Sequence, residues 1–289
     1  MVLRVAAKDL QTKVSVGRCN TPFELHETMV INTEYVDLPA DRNPMRTLVA
    51  APREGRYPGI LLYSDIFQLT GPMVRATARL AGYGFVVAAP EIYHRIEPPG
   101  SAIPFDDDGR DRGQRNAAKT AVAEFDADCR VALDYLSRHR LVERGQLGAG
   151  GFCIGGHLAF RAALQPDVKA TVCFYGTGIH NGKLGMDDDA GSLQRARDIT
   201  GKLLMVFGSE DPHVPEEARH QIIDALADAR PDDSTRFSFL TIGGVEHAFM
   251  RDEGRRYDPE ASDRAWSEMI DFFRKMFCPW LYAPRSQSG

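Results

Sequence analysis

From about residue 30 onward, short apolar runs rich in β-branched residues alternate with stretches whose apolar positions recur every third or fourth residue. The runs at 29–37, 46–51, 59–64, 85–89, 146–152, 168–174, 202–207 and 236–241 read as strands. Continuous apolar runs belong to strands covered on both faces. The pattern therefore predicts an α/β chain with a mostly parallel central sheet and helices on both sides, its two earliest strands forming an antiparallel edge. Ala118, Val122, Phe125, Cys129, Leu133 and Leu136 form one helical stripe, and Trp266, Ile270, Phe273 and Phe277 form another. Both are core faces, which makes Cys129 a small buried hydrophobe, as Cys173 is within its strand. The Pro-, Gly- and Asp-rich segment 96–116 reads as a solvated loop bordering the pocket. Neither it nor the acidic run Asp187, Asp188, Asp189 has the spacing of a calcium loop.

The chain has 289 residues, 43% of them apolar, which suffices for one large domain. We place it at 30–280, between an N-terminal extension at 1–29 and a C-terminal tail at 281–289. A net charge of -5 gives no electrostatic reason to expect nucleic acid or an anionic membrane as partner, so a small molecule is the expected ligand. The five cysteines are widely spaced without a C-x-x-C pair, which suits a reducing compartment and argues against zinc. Arg4, Lys8, Asp9 and Lys13 interrupt the N-terminus, so it lacks the apolar core of a secretory signal, and no run reaches membrane-spanning length. The expectation is a cytoplasmic protein with no cofactor and no metal.

Candidate chemistry centres on Gly151-Phe152-Cys153-Ile154-Gly155-Gly156. This resembles the strand-to-helix elbow that carries the nucleophile in G-x-S-x-G proteins, with cysteine in place of serine. A nucleophile in such a turn needs a base, and the base an orienting acid, in the chain order nucleophile, acid, base. The loop Gly208-Ser209-Glu210-Asp211 after one later strand supplies Asp211 as first candidate for the acid, with Glu210 as a weaker rival. The loop after the next strand supplies His247. The alternatives are that Asp211 caps a helix starting near Pro215 and that His247 is an ordinary loop histidine. His157 follows the nucleophile on its helix and points away, while His213 and His220 read as surface residues. Oxyanion donors are expected from the backbone N–H of Ile154 and from the loop Asp65-Ile66-Phe67, at Ile66.

With these residues in place the chain resembles the dienelactone hydrolase family, carboxymethylenebutenolidases that open a lactone ring. The resemblance runs from about Arg46 to Phe277 and is carried by the cysteine elbow, Pro90-Glu91-Ile92-Tyr93-His94-Arg95, Asp65-Ile66-Phe67, Asp211 and His247-Ala248-Phe249-Met250-Arg251. It implies an α/β-hydrolase fold, a Cys-His-Asp triad and an acyl-enzyme. It also implies that Arg95 and Arg251 match the two arginines holding the substrate carboxylate. One departure is visible. The family has a glutamate where this chain has Asp65, and that carboxylate interacts with the cysteine and an arginine to switch the nucleophile on; aspartate is one methylene shorter. The extension before residue 30 and the acidic insertion after Arg95 have no obvious family counterpart. A carboxylesterase or thioesterase of broad specificity, and a binding protein without turnover, remain open on the same residues.

Overall fold

The computed structural model describes residues 30–279. Met29, Cys19 and both flanking segments of the expected domain lie outside the described residues. Eight strands form one sheet: β1 (Ile31–Leu38), β2 (Met45–Pro52), β3 (Tyr57–Tyr63), β4 (Val86–Pro90), β5 (Val142–Phe152), β6 (Val168–Phe174), β7 (Lys202–Gly208) and β8 (Phe237–Ile242). Their spatial order is β1-β2-β4-β3-β5-β6-β7-β8. β2 runs antiparallel to both β1 and β4, and every other neighbouring pair is parallel. The antiparallel edge is thus where the alternation placed it.

Side-chain alternation splits the apolar runs between two core layers. Leu61 and Tyr63 of β3 face one layer, built with α3 (Val122–Arg138), α4 (Ile154–Ala163) and α5 (Glu216–Ala229). Ile60 and Leu62 face the other, with α1 (Gly71–Ala81) and α6 (Pro259–Phe277). Both faces are covered, which is why these strands read as unbroken apolar runs. α4 is buried along its whole length, wedged between the sheet and α3. No helix among the described residues is long and apolar enough to cross a membrane.

Two expectations are corrected. The segment 96–116 is not simply a solvated loop: it carries all but the last residue of α2 (Asp107–Ala117). Asp106 caps this helix by accepting from the Gly109 N–H at 2.7 Å, and Asp107 and Asp108 place negative charge at its positive end. Its buried positions are Gly109, Gly113 and Asn116, so it has no apolar stripe and gives no helical periodicity. The stripe read from Ala118 is in fact divided, since Ala118 ends α2 and α3 starts at Val122. The restart is fixed by Glu124, which accepts from the Ala121 N–H at 2.9 Å, and by Asp187, which accepts from the Val122 N–H at 2.8 Å.

Candidate active site

Cys153 sits between the end of β5 and the start of α4 at φ 60, ψ -123, a conformation that L residues rarely adopt. Its N–H donates to the Phe174 carbonyl at 3.1 Å. Its own carbonyl accepts from Gly156 at 2.9 Å and from Thr177 at 3.2 Å, and these bonds hold the strained turn. The flanking glycines are there for room. A Cβ on Gly151 would lie 2.0 Å from the Gly155 carbonyl oxygen, and one on Gly155 would lie 2.2 Å from that of Ser64. The second contact also brings the loop after β3 against the elbow. Cys153 is half-buried, whereas Cys129, Cys173 and Cys278 are buried. Burial pushes the Cys129 thiol up to about 12 and raises that of Cys173 as well, which suppresses their thiolates.

Asp211 follows β7 and His247 follows β8, both at the C-terminal edge of the sheet. His247 Nδ1 and Asp211 Oδ2 are 2.8 Å apart, with Asp211 2% and His247 5% exposed. Burial by itself would raise the Asp211 pKa, but the His247 hydrogen bond and charge, with the His213 N–H donating to Oδ1 at 2.8 Å, hold it below its ordinary value. His247 Nε2 is buried and has no partner in good hydrogen-bond geometry. Its strongest electrostatic neighbour is Cys153. Burial opposes the imidazolium, yet the Cys153 charge and the Asp211 contact together raise His247 to about 10. Asp211 does not cap α5, whose N-cap, Pro215, makes no side-chain cap bond. Glu210 is exposed and accepts from Ser209 Oγ at 2.9 Å.

The helix N-terminus supplies donors, because the first N–H groups of α4, beginning with Ile154, have no intrahelical partner. Opposite them, the turn at residues 65–68 is closed by Phe67 N–H to Asp65 Oδ1 at 2.9 Å and Gln68 N–H to the Asp65 carbonyl at 3.2 Å. Asp65 Oδ2 is 3.3 Å from Arg251 Nη1, so the shorter side chain does reach its arginine. Burial raises the Asp65 pKa against the opposing pull of Arg251. The Arg251 guanidinium lies over the rings of Phe67 and Phe105, at 5.1 and 4.4 Å from their centroids. Phe105 belongs to the acidic insertion, so that segment walls the site.

Arg95 is placed otherwise than the resemblance implied. Its fork is bidentate on Asp128 of α3, at 2.5 and 2.8 Å, and the side chain is only 5% exposed. His94 Nε2 shares the same carboxylate at 3.1 Å. Both terminal nitrogens of the guanidinium are thus engaged by a buried carboxylate, while its Nε has no hydrogen-bond partner. His157 does point away, bonding the Thr177 carbonyl and Ser192 Oγ. His213 is exposed, but its ring packs edge-on against His247 with centroids 4.7 Å apart, so it borders the site. Two tyrosines to which the sequence assigned no role also stand here. The Tyr175 ring meets His247 edge-on at 5.0 Å. Tyr93 is buried with no partner for its hydroxyl, within electrostatic reach of Cys153 and Asp65.

Comparison with known proteins identifies the family. The model of the dienelactone hydrolase family matches residues 45–277. A Saccharomyces cerevisiae protein named “Putative carboxymethylenebutenolidase” is 37% identical over 208 residues, 71% of this chain and 74% of its own. The carboxymethylenebutenolidase of Pseudomonas putida is 27% identical, over 80% of this chain and 92% of its own. Among solved structures, a “Putative Dienelactone Hydrolase” from Klebsiella pneumoniae superposes with a TM-score of 0.74 at 23% identity, covering 85% of this chain and 99% of that one. Esterases and peptidases of the α/β-hydrolase fold superpose as well. The chain belongs to the dienelactone hydrolase family and is a hydrolase on the α/β-hydrolase fold.

Proposed function

We propose that the protein hydrolyses a carboxylate-bearing lactone or ester through Cys153, His247 and Asp211. The observation that carries this reading is the alignment of Asp211, His247 and the strained Cys153, with His247 bonded to the acid on one side and electrostatically tied to the sulfur on the other. In this reading the Cys153 sulfur attacks the ester carbonyl, and the resulting oxyanion is bound by the N–H groups of Ile154 and Ile66. The alkoxide leaves with the proton held by His247, giving a thioester. In a lactone the alcohol stays tethered to the acyl group. Water then attacks the thioester, His247 takes its proton, and collapse releases a carboxylic acid and the Cys153 sulfur. Asp211 remains ionised and orients His247 throughout.

Arg251 is the arginine we assign to the substrate carboxylate, with Asp65 as its resident counter-ion. The buried thiols of Cys129, Cys173 and Cys278 fit a reducing, cytoplasmic setting. The deciding experiment compares kcat/KM on a dienelactone with that on a neutral p-nitrophenyl ester, using Cys153→Ala as blank. A Cys153-dependent preference for the dienelactone supports both triad and arginine. Activity on the neutral ester alone would keep the triad and discard the anionic substrate. Equal rates with Cys153→Ala would sink the mechanism.

A further inference from the structure

An open cleft of about 670 Å³ adjoins the triad. Three of its lining residues tie it to the catalytic groups: Ile66 is in the loop after β3, Thr177 donates its N–H to the Cys153 carbonyl, and His213 packs on His247. Its volume falls within the ~300–1,000 Å³ of cavities that hold drug-sized molecules, well beyond what a lone ester or lactone group fills. Arg251 is not among its lining residues. A ligand anchored at Cys153 therefore has a second region to occupy.

Much of the polar lining of that region is uncharged. Gln114, Thr177, His180 and Asn181 each carry both donor and acceptor capacity. Burial and neighbouring Lys183 lower the His180 pKa from its ordinary value, and its Nδ1 is buried with no partner. The charged residues do not favour an anion, because Lys183 is offset by Asp187 and Asp188. A carboxylate or phosphate asks for donors only, whereas hydroxyls both donate and accept, as this lining does. Ala117, Ala118, Gly178 and Gly185 are small lining residues that leave room, and Ile66 adds apolar surface.

We propose that this cleft is a subsite for a neutral, hydroxyl-rich group, a glycosyl or polyol unit carried by the substrate beyond its scissile bond. This rests on the ester chemistry assigned to Cys153 for its kinetic consequence, but not for binding. The first arm is ligand-observed saturation-transfer NMR with methyl α-glucoside, and with glucuronate as the anionic match. The proposal expects transfer to the glucoside and none to glucuronate, with about tenfold weaker glucoside binding in Ala117→Trp, which adds bulk to the lining, and in His180→Phe, which removes the unpartnered nitrogen. No transfer from the wild-type protein, equal transfer to both ligands, or glucoside binding unchanged in both variants would overturn it.

The second arm is the ratio of kcat/KM for 6-O-butyryl methyl glucoside to that for methyl butyrate. The ratio should fall about tenfold in each variant; an unchanged ratio overturns the subsite. Intact glucoside binding with hydrolysis of neither ester would support the subsite and count against the ester chemistry at Cys153.

Discussion

Gly113 of α2 lies so close to the loop after β3 that a Cβ there would stand 2.5 Å from the Ile66 carbonyl oxygen. The acidic insertion thus presses its helix directly on the segment assigned as an oxyanion donor. Gly113→Ala must move backbone rather than a pliable side chain, at a cost of about 1–3 kcal/mol. If the Ile66 N–H takes part in catalysis, displacing it should lower kcat by about tenfold or more while the protein stays folded. Full kcat together with a lowered Tm would remove Ile66 from the mechanism.

Arg251 is held by Asp65 and two aromatic rings, and so is pre-positioned without being neutralised at every donor. Arg251→Met should raise KM for an anionic ester by about tenfold, the worth of a charge-assisted hydrogen bond, and leave a neutral ester of the same leaving group nearly unchanged. Paired steady-state measurements decide it: equal effects on both esters would mean that Arg251 shapes the pocket without recognising charge.

The sequence made the elbow, the two loop positions and the antiparallel edge readable because each rests on a local rule: a strained turn that excludes side chains, a chain order of strand ends, or apolar alternation. It hid what depends on distant partners. Arg95 finds Asp128 across 33 residues of chain, and nothing around Arg95 announces that carboxylate. α2 buries glycines and an asparagine, so periodicity could not find it; only Asp106-Asp107-Asp108 marks its start. Tyr93 and Tyr175 follow apolar strands and look like core until the fold brings Tyr93 within electrostatic reach of Cys153 and the Tyr175 ring against His247.

The burial of Arg95 against Asp128 separates a structural role from a recognition role. Arg95→Met leaves the Asp128 carboxylate buried with only His94 beside it, and breaking a buried pair in this way costs about 3–5 kcal/mol. We expect a clear drop in denaturant midpoint with the ratio of anionic to neutral KM unchanged. A normal midpoint with a raised KM for anions alone would return Arg95 to the substrate.

If Cys153 and His247 work as a pair, the His247 charge depends on the sulfur, and this can be tested directly. His247 is raised to about 10, with the Cys153 charge the foremost raising influence after the opposing effect of burial. Removing that sulfur in Cys153→Ala should move the His247 titration, followed by NMR of the ring Cε1 proton, downward toward the ordinary histidine value. The folded pKa lies above the unfolded one, so the stabilisation is present in full below about 6.5 and is lost as pH rises through about 10. Between those limits the wild-type protein should lose Tm more steeply than His247→Gln. The NMR shift on Cys153→Ala is the sharper test, because it isolates the contribution of the sulfur. A titration unmoved by the loss of the sulfur would mean that Asp211 alone sustains the imidazolium, and Cys153 and His247 would no longer qualify as a nucleophile–base pair.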